Sequence, residues 1–174
     1  MRIPIVNEKD EIIGHKERKE TTREDIRRTV SLIVFNEKGE VLIAKRHTNK
    51  TLDPNKWGPS VAGTVDEGED CDLAVLRETE EEIGLKDIKP IFLKKYFYET
   101  ERSRRFLSVY YIIINSKDSK LSLQADEVAE VKWISIKDLT DWVAQHPEDF
   151  TLNFPKGSFK NIEEIYEKVR KIIK

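Results

Sequence analysis

Four glutamates, Glu78, Glu80, Glu81 and Glu82, crowd the end of a helix-forming stretch that stops at Gly84, within residues 63–85, GTVDEGEDCDLAVLRETEEEIGL. Helical spacing sets Glu78 one turn from both Glu81 and Glu82, so like charges face one another. They also sit at the C-terminal end, where the helix dipole is already negative and Lys or Arg would be favoured. Each such contact costs roughly a few tenths of a kcal/mol at a surface. A bound cation removes that cost. Hard oxygen ligands at this density, with no histidine beside them, suit Mg²⁺, or Mn²⁺ in its place, rather than zinc. The competing reading is a solvated acidic face, which normally carries Lys or Arg one turn on. In a continuous helix Glu78 meets Glu82, Glu80 meets Gly84 and Glu81 meets Leu85, and only Glu82 finds Lys86.

The elements that must hold these carboxylates are legible around them. Asp70 is an N-cap for the helix and Gly84 a left-handed terminator. Leu76, Thr79 and Ile83 recur at helical spacing and are expected to bury against a sheet, leaving Glu78, Glu81 and Glu82 on another face. Arg77 lies one turn before Glu81, within pairing reach. Gly63 and Gly68 permit close approaches or turns that a side chain would block, with ordinary turn duty an equal reading for Gly68.

The segment resembles the Nudix box: Gly, five residues, Glu, seven residues, Arg-Glu, an apolar residue, any residue, Glu-Glu, any residue, Gly and an apolar residue. Gly63, Glu69, Arg77, Glu78, Glu81, Glu82, Gly84 and Leu85 stand at those spacings, and Thr79 replaces the preferred aliphatic residue. The resemblance implies an α/β fold, a Nudix-type α/β/α sandwich with a mixed β-sheet, in which a loop–helix–loop holds divalent metal against a diphosphate. It further implies that Glu78, Glu81 and Glu82 are the metal ligands, and that Arg77 reaches back to Glu69 to orient them.

The rest of the chain frames that reading. Its 174 residues and 20.4 kDa suit one domain with a substantial core. We expect an N-terminal β extension over 1–25, a Nudix core over 27–140 and a C-terminal helical segment over 141–174. Basic and acidic residues nearly cancel, 31 against 33, so no global field points to nucleic acid or an anionic membrane. The single cysteine, Cys71, excludes an internal disulfide framework and reads as a packing residue. No leader and no transmembrane-length apolar run is visible, so the expected location is the cytoplasm. A homodimer is only the default expectation.

Strands are expected at 3–7, 11–15, 29–35, 41–46, 60–65, 91–99, 105–115 and 128–134, with a polar loop over 47–58 ending at Trp57. A helix should start near Ser135 and stop before Pro147. The last helix is expected to begin at Asn161, with Glu164 completing a capping box. Its Ile162, Ile165, Tyr166, Val169, Ile172 and Ile173 form one apolar stripe suited to core packing.

A finer resemblance, to type I isopentenyl diphosphate isomerases, rests on Ile5-Val6-Asn7-Glu8-Lys9-Asp10, the Ile13-Gly14 step and Trp57-Gly58-Pro59-Ser60-Val61-Ala62-Gly63. Ala62 stands where that family carries its essential cysteine. Arg27-Arg28-Thr29-Val30 stands where its metal-binding histidine is expected. Alanine cannot donate a proton, and His15, His47 and His146 read as surface residues. The expected chemistry is therefore hydrolysis: Mg²⁺ on the box glutamates bridges diphosphate oxygens and lowers the pKa of a water that attacks phosphorus. Besides the isomerase, a non-catalytic nucleotide-binding regulator is the rival reading. Its expected signature, loss of box glutamates, is not seen.

The general base is a glutamate of the box, such as Glu81 or Glu82, or of a later loop. Glu127 and Glu130 lie where such a loop glutamate falls, and Glu99 is a third candidate. Taken singly, Glu127 and Glu130 each read as exposed strand-edge charge. For the small-molecule diphosphate substrate, Gly63 offers close approach, while Lys45 and Arg46, or Arg102, Arg104 and Arg105, offer phosphate ligands. Trp57 and Tyr98 could stack on a base, though burial is the commoner fate of such rings.

Overall fold

The computed structural model describes residues 1–173. Its sheet is built around β3 (Ile26–Asn36), whose one edge pairs in parallel with β8 (Arg104–Ile114) from end to end. The other edge takes three antiparallel partners in turn. These are β1 (Arg2–Val6) at Ile26 and Arg27, β6 (Val61–Thr64) from Thr29 to Leu32, and β4 (Val41–Arg46) at Phe35. Beyond these, β2 (Ile12–Glu17) extends β1, β7 (Ile91–Glu99) extends β8, and β9 (Val128–Ile134) and the short β5 (Trp57–Gly58) flank β4.

Side chains alternate along a strand, so each face of β3 reads separately. Val30, Leu32 and Val34 pack with Ala74, Val75 and Ile83 of α1 (Cys71–Ile83). Ile33 and Phe35 pack on the opposite face with Leu139 and Val143 of α2 (Ile136–Gln145) and with Ile162 and Ile165 of α3 (Phe159–Val169). The result is a mixed sheet between two helical layers, an α/β/α sandwich. On the second face the first half of β3 is polar. Arg27, Thr29 and Ser31 line a cleft of about 290 Å³ instead of joining the core. Among the described residues no helix is long and apolar enough to cross a membrane.

Several expectations need correction. The last helix begins at Phe159, because a π-helical turn, Phe154–Ser158, runs straight into it with Ser158 already helical. Asn161 therefore lies inside the helix, buried, where its Nδ2 donates to the Tyr96 hydroxyl at 3.0 Å, and Glu164 pairs with Lys94 instead of capping. Ile172 leaves the apolar stripe and is exposed. Trp57 belongs to a strand and not to the preceding loop. Its ring is buried edge-on to Trp142, with the Lys45 ammonium over it, so it packs the core and is not free to stack on a base.

Candidate active site

Helix α1 starts and stops where its sequence dictates. Asp70 Oδ1 accepts from the Leu73 amide at 2.9 Å, and Gly84 takes φ 73°, where a Cβ would also come within 2.7 Å of Ser122 Cβ. The left-handed turn breaks the helical register after Gly84, so Lys86 pairs with Glu80 and not with Glu82. The buried face is Ala74, Val75, Thr79 and Ile83, whereas Leu76 points outward, contrary to expectation. Thr79 sits at an apolar position because its hydroxyl donates back to Val75 O at 2.6 Å, leaving the methyl to pack.

Arg77 ties the acidic residues together. Its Nε and Nη2 clamp both oxygens of Glu69 at 2.8 and 3.0 Å, and Nη2 also reaches Thr64 O at 3.0 Å. Its Nη1 bridges Glu78 Oε1 and Glu81 Oε2, each at 3.0 Å. The fork geometry of guanidinium makes this multiple clamp feasible, and an ammonium could not reproduce it. The Arg77 hydrogen bonds hold the Glu69 carboxyl below its usual range against the opposing effect of burial.

The other carboxyls are pushed the opposite way. Burial raises Glu78, Arg77 pulls it back, and Glu81 adds to the rise. Glu82 is pushed up to about 8, first by burial, then by the charges of Glu78 and Glu127. The Ala62 amide, donating at 3.2 Å, and Arg46 oppose that rise. Glu78, 7% exposed, lies directly over Gly63: a Cβ there would stand 2.0 Å from Glu78 Cδ. Gly68, at φ 87° with open space around it, serves its turn.

Around this cluster the cleft is lined by Arg46, Lys50, Glu82 and Glu127, and further along by Tyr98, Arg102 and Arg105. Lys50 Nζ holds Glu127 Oε1 at 2.6 Å. Arg46 Nε is tied to Leu52 O at 2.9 Å, which fixes its side chain at the rim. Other candidates fall elsewhere. Glu99 pairs with Arg23 at 2.7 Å, Arg104 pairs with Glu8 at 2.9 Å, and Glu130 is exposed on β9. Neither Glu99, Arg104 nor Glu130 lines the cleft. His47 Nδ1 accepts from the Asn49 amide, and His15 and His146 stand beside Glu67 and Glu148.

Among the described residues no three carboxylate, imidazole or thiol groups converge as a finished metal cage. Glu78 and Glu81 each lend one oxygen to Arg77, and Glu82 lends one to Ala62. Each keeps its second oxygen without a partner among the described residues. A set of hard oxygen donors in which burial first, and then mutual repulsion, raises Glu78 and Glu82 fits a divalent cation such as Mg²⁺.

Arg27, Ser31 and Lys50 also line the cleft, although no motif marks them. One signal was present. On one face β3 reads Arg27, Thr29, Ser31, Ile33, Phe35, and the change from polar to apolar marks where the core ends.

Comparison with known proteins agrees with this architecture. The family model for the NUDIX domain matches residues 25–154. An uncharacterized Nudix hydrolase of Listeria monocytogenes is 31% identical over 137 residues, spanning 78% of this chain and 80% of the relative. One from Streptomyces coelicolor is 32% identical over 129 residues, spanning 73% and 70%. Among solved structures, one from Deinococcus radiodurans aligns with a TM-score of 0.76 at 24% identity, covering 94% of this chain and 98% of that one. The NUDIX domain of Shewanella oneidensis NrtR, solved with ADP-ribose, aligns with a TM-score of 0.66 at 18% identity, covering 88% and 94%. At these identities the two structures speak for the fold.

Proposed function

We propose, from the premise that this chain belongs to the Nudix hydrolase family, that it cleaves the diphosphate linkage of a nucleoside diphosphate derivative with the help of Mg²⁺ or Mn²⁺. The observation that carries this reading is the Arg77 clamp, which presents Glu78 and Glu81 beside the desolvated Glu82 at the end of the cleft. A divalent ion on Glu78, Glu81 and Glu82 would supply positive charge for the diphosphate oxygens and acidify a water.

The chain's own residues do the rest. Arg77, anchored on Glu69 and Thr64 O, orients the box carboxylates. Gly63 leaves the β6 backbone open to Glu78 and to substrate. Arg46 and Lys50 line the same part of the cleft and bring positive charge to phosphate oxygens. With Oε1 of Glu127 held by Lys50, its Oε2 is the atom available to take the proton from the attacking water. Leu107 and Val128 add apolar surface to the cleft wall.

The test is a panel of nucleoside diphosphate derivatives with Mg²⁺ or EDTA, beside the Glu82→Gln variant. ADP-ribose, the ligand in the Shewanella structure, belongs in it, as does isopentenyl diphosphate. Metal-dependent cleavage lost in the variant is the expected result. Isomerisation of isopentenyl diphosphate would overturn the reading, as would tight binding with no turnover of any compound.

A further inference from the structure

Arg27 of β3 and Arg105 of β8 stand opposite each other across the parallel strand pair, and both side chains line the cleft. Among the described residues neither guanidinium has an ion-pair partner, and the Nε of each is buried without a hydrogen bond. The Ser31 hydroxyl, further along the same face of β3, is also buried and unpaired. Arg27 and Arg105 are half-buried, and cations drawn even partly out of water are normally paired, because desolvation is costly and a neighbouring like charge adds to it. Both effects act on Arg27, where burial and the Arg105 charge weaken its hold on the proton. Nearby arginines have an ion-pair partner: Arg28 pairs with Asp10, Arg102 with Asp53 and Arg104, whose Nε is also buried without a hydrogen bond, with Glu8. Arg105 is instead held over the Tyr98 ring, 5.4 Å from its centroid, with its polar edge uncommitted.

The position of the pair separates it from the box. Glu82 bonds the amide of Ala62, and Ala62 pairs with Ser31. Arg27 lies four residues back along β3, on the order of 13 Å at the usual strand rise. The charges that act most on Glu82 are Glu78, Glu127 and Arg46, whereas those that act most on Arg27 are Arg105, Arg18 and Asp25. The cleft thus holds two charge centres, whose backbone positions on β3, at Arg27 and at Ser31, are further apart than the phosphorus atoms of one diphosphate.

We infer that Arg27 and Arg105, with Ser31 between them and the box, form a subsite for a second phosphate group of the substrate, remote from the diphosphate that is cleaved. The inference rests on the hydrolase reading and narrows its substrate class. The preferred compounds are nucleoside diphosphate derivatives that carry an additional phosphate ester, on a ribose or at the far end of the linked group. Two guanidinium forks and a hydroxyl offer more donors than a carboxylate accommodates and match the oxygens of a phosphate.

Two measurements test this independently. In the first, inorganic phosphate is titrated calorimetrically into the metal-free protein in EDTA. Arg27→Gln and Arg105→Gln should each weaken binding about tenfold or more, and Glu82→Gln should leave it intact. In the second, kcat/KM is compared within pairs: NADP against NAD for a ribose phosphate, ADP-ribose 1″-phosphate against ADP-ribose for a far-end phosphate. The phosphorylated member of at least one pair should be favoured about ten- to a hundredfold, a ratio that collapses in Arg105→Gln. Melting curves identify any unfolded variant, and Arg105→Lys, which keeps the charge but loses the fork, should fall between. Absent phosphate binding, binding indifferent to both arginines, or equal rates within both pairs would overturn the subsite. If no compound is hydrolysed, the hydrolase reading fails while the calorimetry still decides the subsite.

Discussion

The carboxylate of Glu78 occupies the space that a side chain at position 63 would need. A Cβ on Gly63 would stand 2.0 Å from Glu78 Cδ and 2.3 Å from its Oε1, and the Thr64 amide donates to that same oxygen. Strand β6 and helix α1 are in contact where the box begins and its first helix glutamate projects. We predict that Gly63→Ala expels the Glu78 carboxylate, lowers stability by about 1–3 kcal/mol as overpacking does, and removes most metal-dependent turnover. A variant with wild-type Mg²⁺ affinity would show that Glu78 is not a ligand.

Glu82 contributes to the pH response of the metal-free protein. Its ordinary value is 4.5 and its folded value is about 8, so between the two the folded chain keeps a proton that the unfolded chain has released. The unfolded state then binds fewer protons, and stability of the metal-free protein falls as pH rises through this window. Metal binding must displace that proton, so Mg²⁺ affinity should climb with pH, by up to about tenfold per unit, and level off above 8. Calorimetric titrations from pH 6 to 9 would show it. Glu82→Gln should flatten the stability slope and abolish turnover while the protein stays folded.

Arg77→Lys keeps the charge and loses the fork. An ammonium cannot span both Glu69 oxygens, Glu78, Glu81 and Thr64 O together. We expect metal affinity to drop roughly 10–100-fold, with a smaller loss of thermal stability. Equal Mg²⁺ titrations for wild type and variant would contradict the positioning role.

For Glu127 the informative quantity is the pH profile. If its Oε2 accepts the proton, Glu127→Gln should cut kcat by about 10²–10⁴ and remove the acid limb of the rate profile. A rate unchanged at both high and low pH would move the base to a box glutamate. Lys50→Met is the companion variant, since it frees Glu127 Oε1 without touching the box.

Asp10 fastens the β1–β2 turn to the sheet. It sits at φ 63° with its carboxylate between Arg28, at 2.7 Å, and Lys95. Burial would raise its pKa, but the hydrogen bonds and charges of Lys95 and Arg28 outweigh that, and the net shift is downward. Its contribution to stability is therefore full above the ordinary value of 3.8 and is lost as pH falls through the lower folded value. Asp10→Asn should cost about 1–2 kcal/mol at pH 7, of the size expected for charge-assisted hydrogen bonds. Melting curves of wild type and variant should converge in strong acid; a gap that persists there would point to backbone strain instead.

The sequence by itself determined the helix, its ends and the family. Asp70 and Gly84 cap locally, and the positions from Gly63 to Leu85 are spaced by the helical repeat and short turns, so local rules suffice to read them. Most strand positions followed from alternation and turn residues in the same way, but β5 falls in the expected loop and β3 begins at Ile26, ahead of the expected 29. The outward turn of Leu76 on α1 and the start of α3 at Phe159, ahead of Asn161, do not follow from local sequence, because both depend on what packs against the helix. The tertiary structure alone decided that Trp57 is core, that Glu99 and Arg104 are tied up elsewhere, and that Lys50 meets Glu127. It also set Arg27 opposite Arg105, through a parallel register that joins residues distant in the chain. Local propensity carries no information about such a register. It emerges only when the apolar rows of β3 and β8 are buried together, and the polar row left over becomes the cleft.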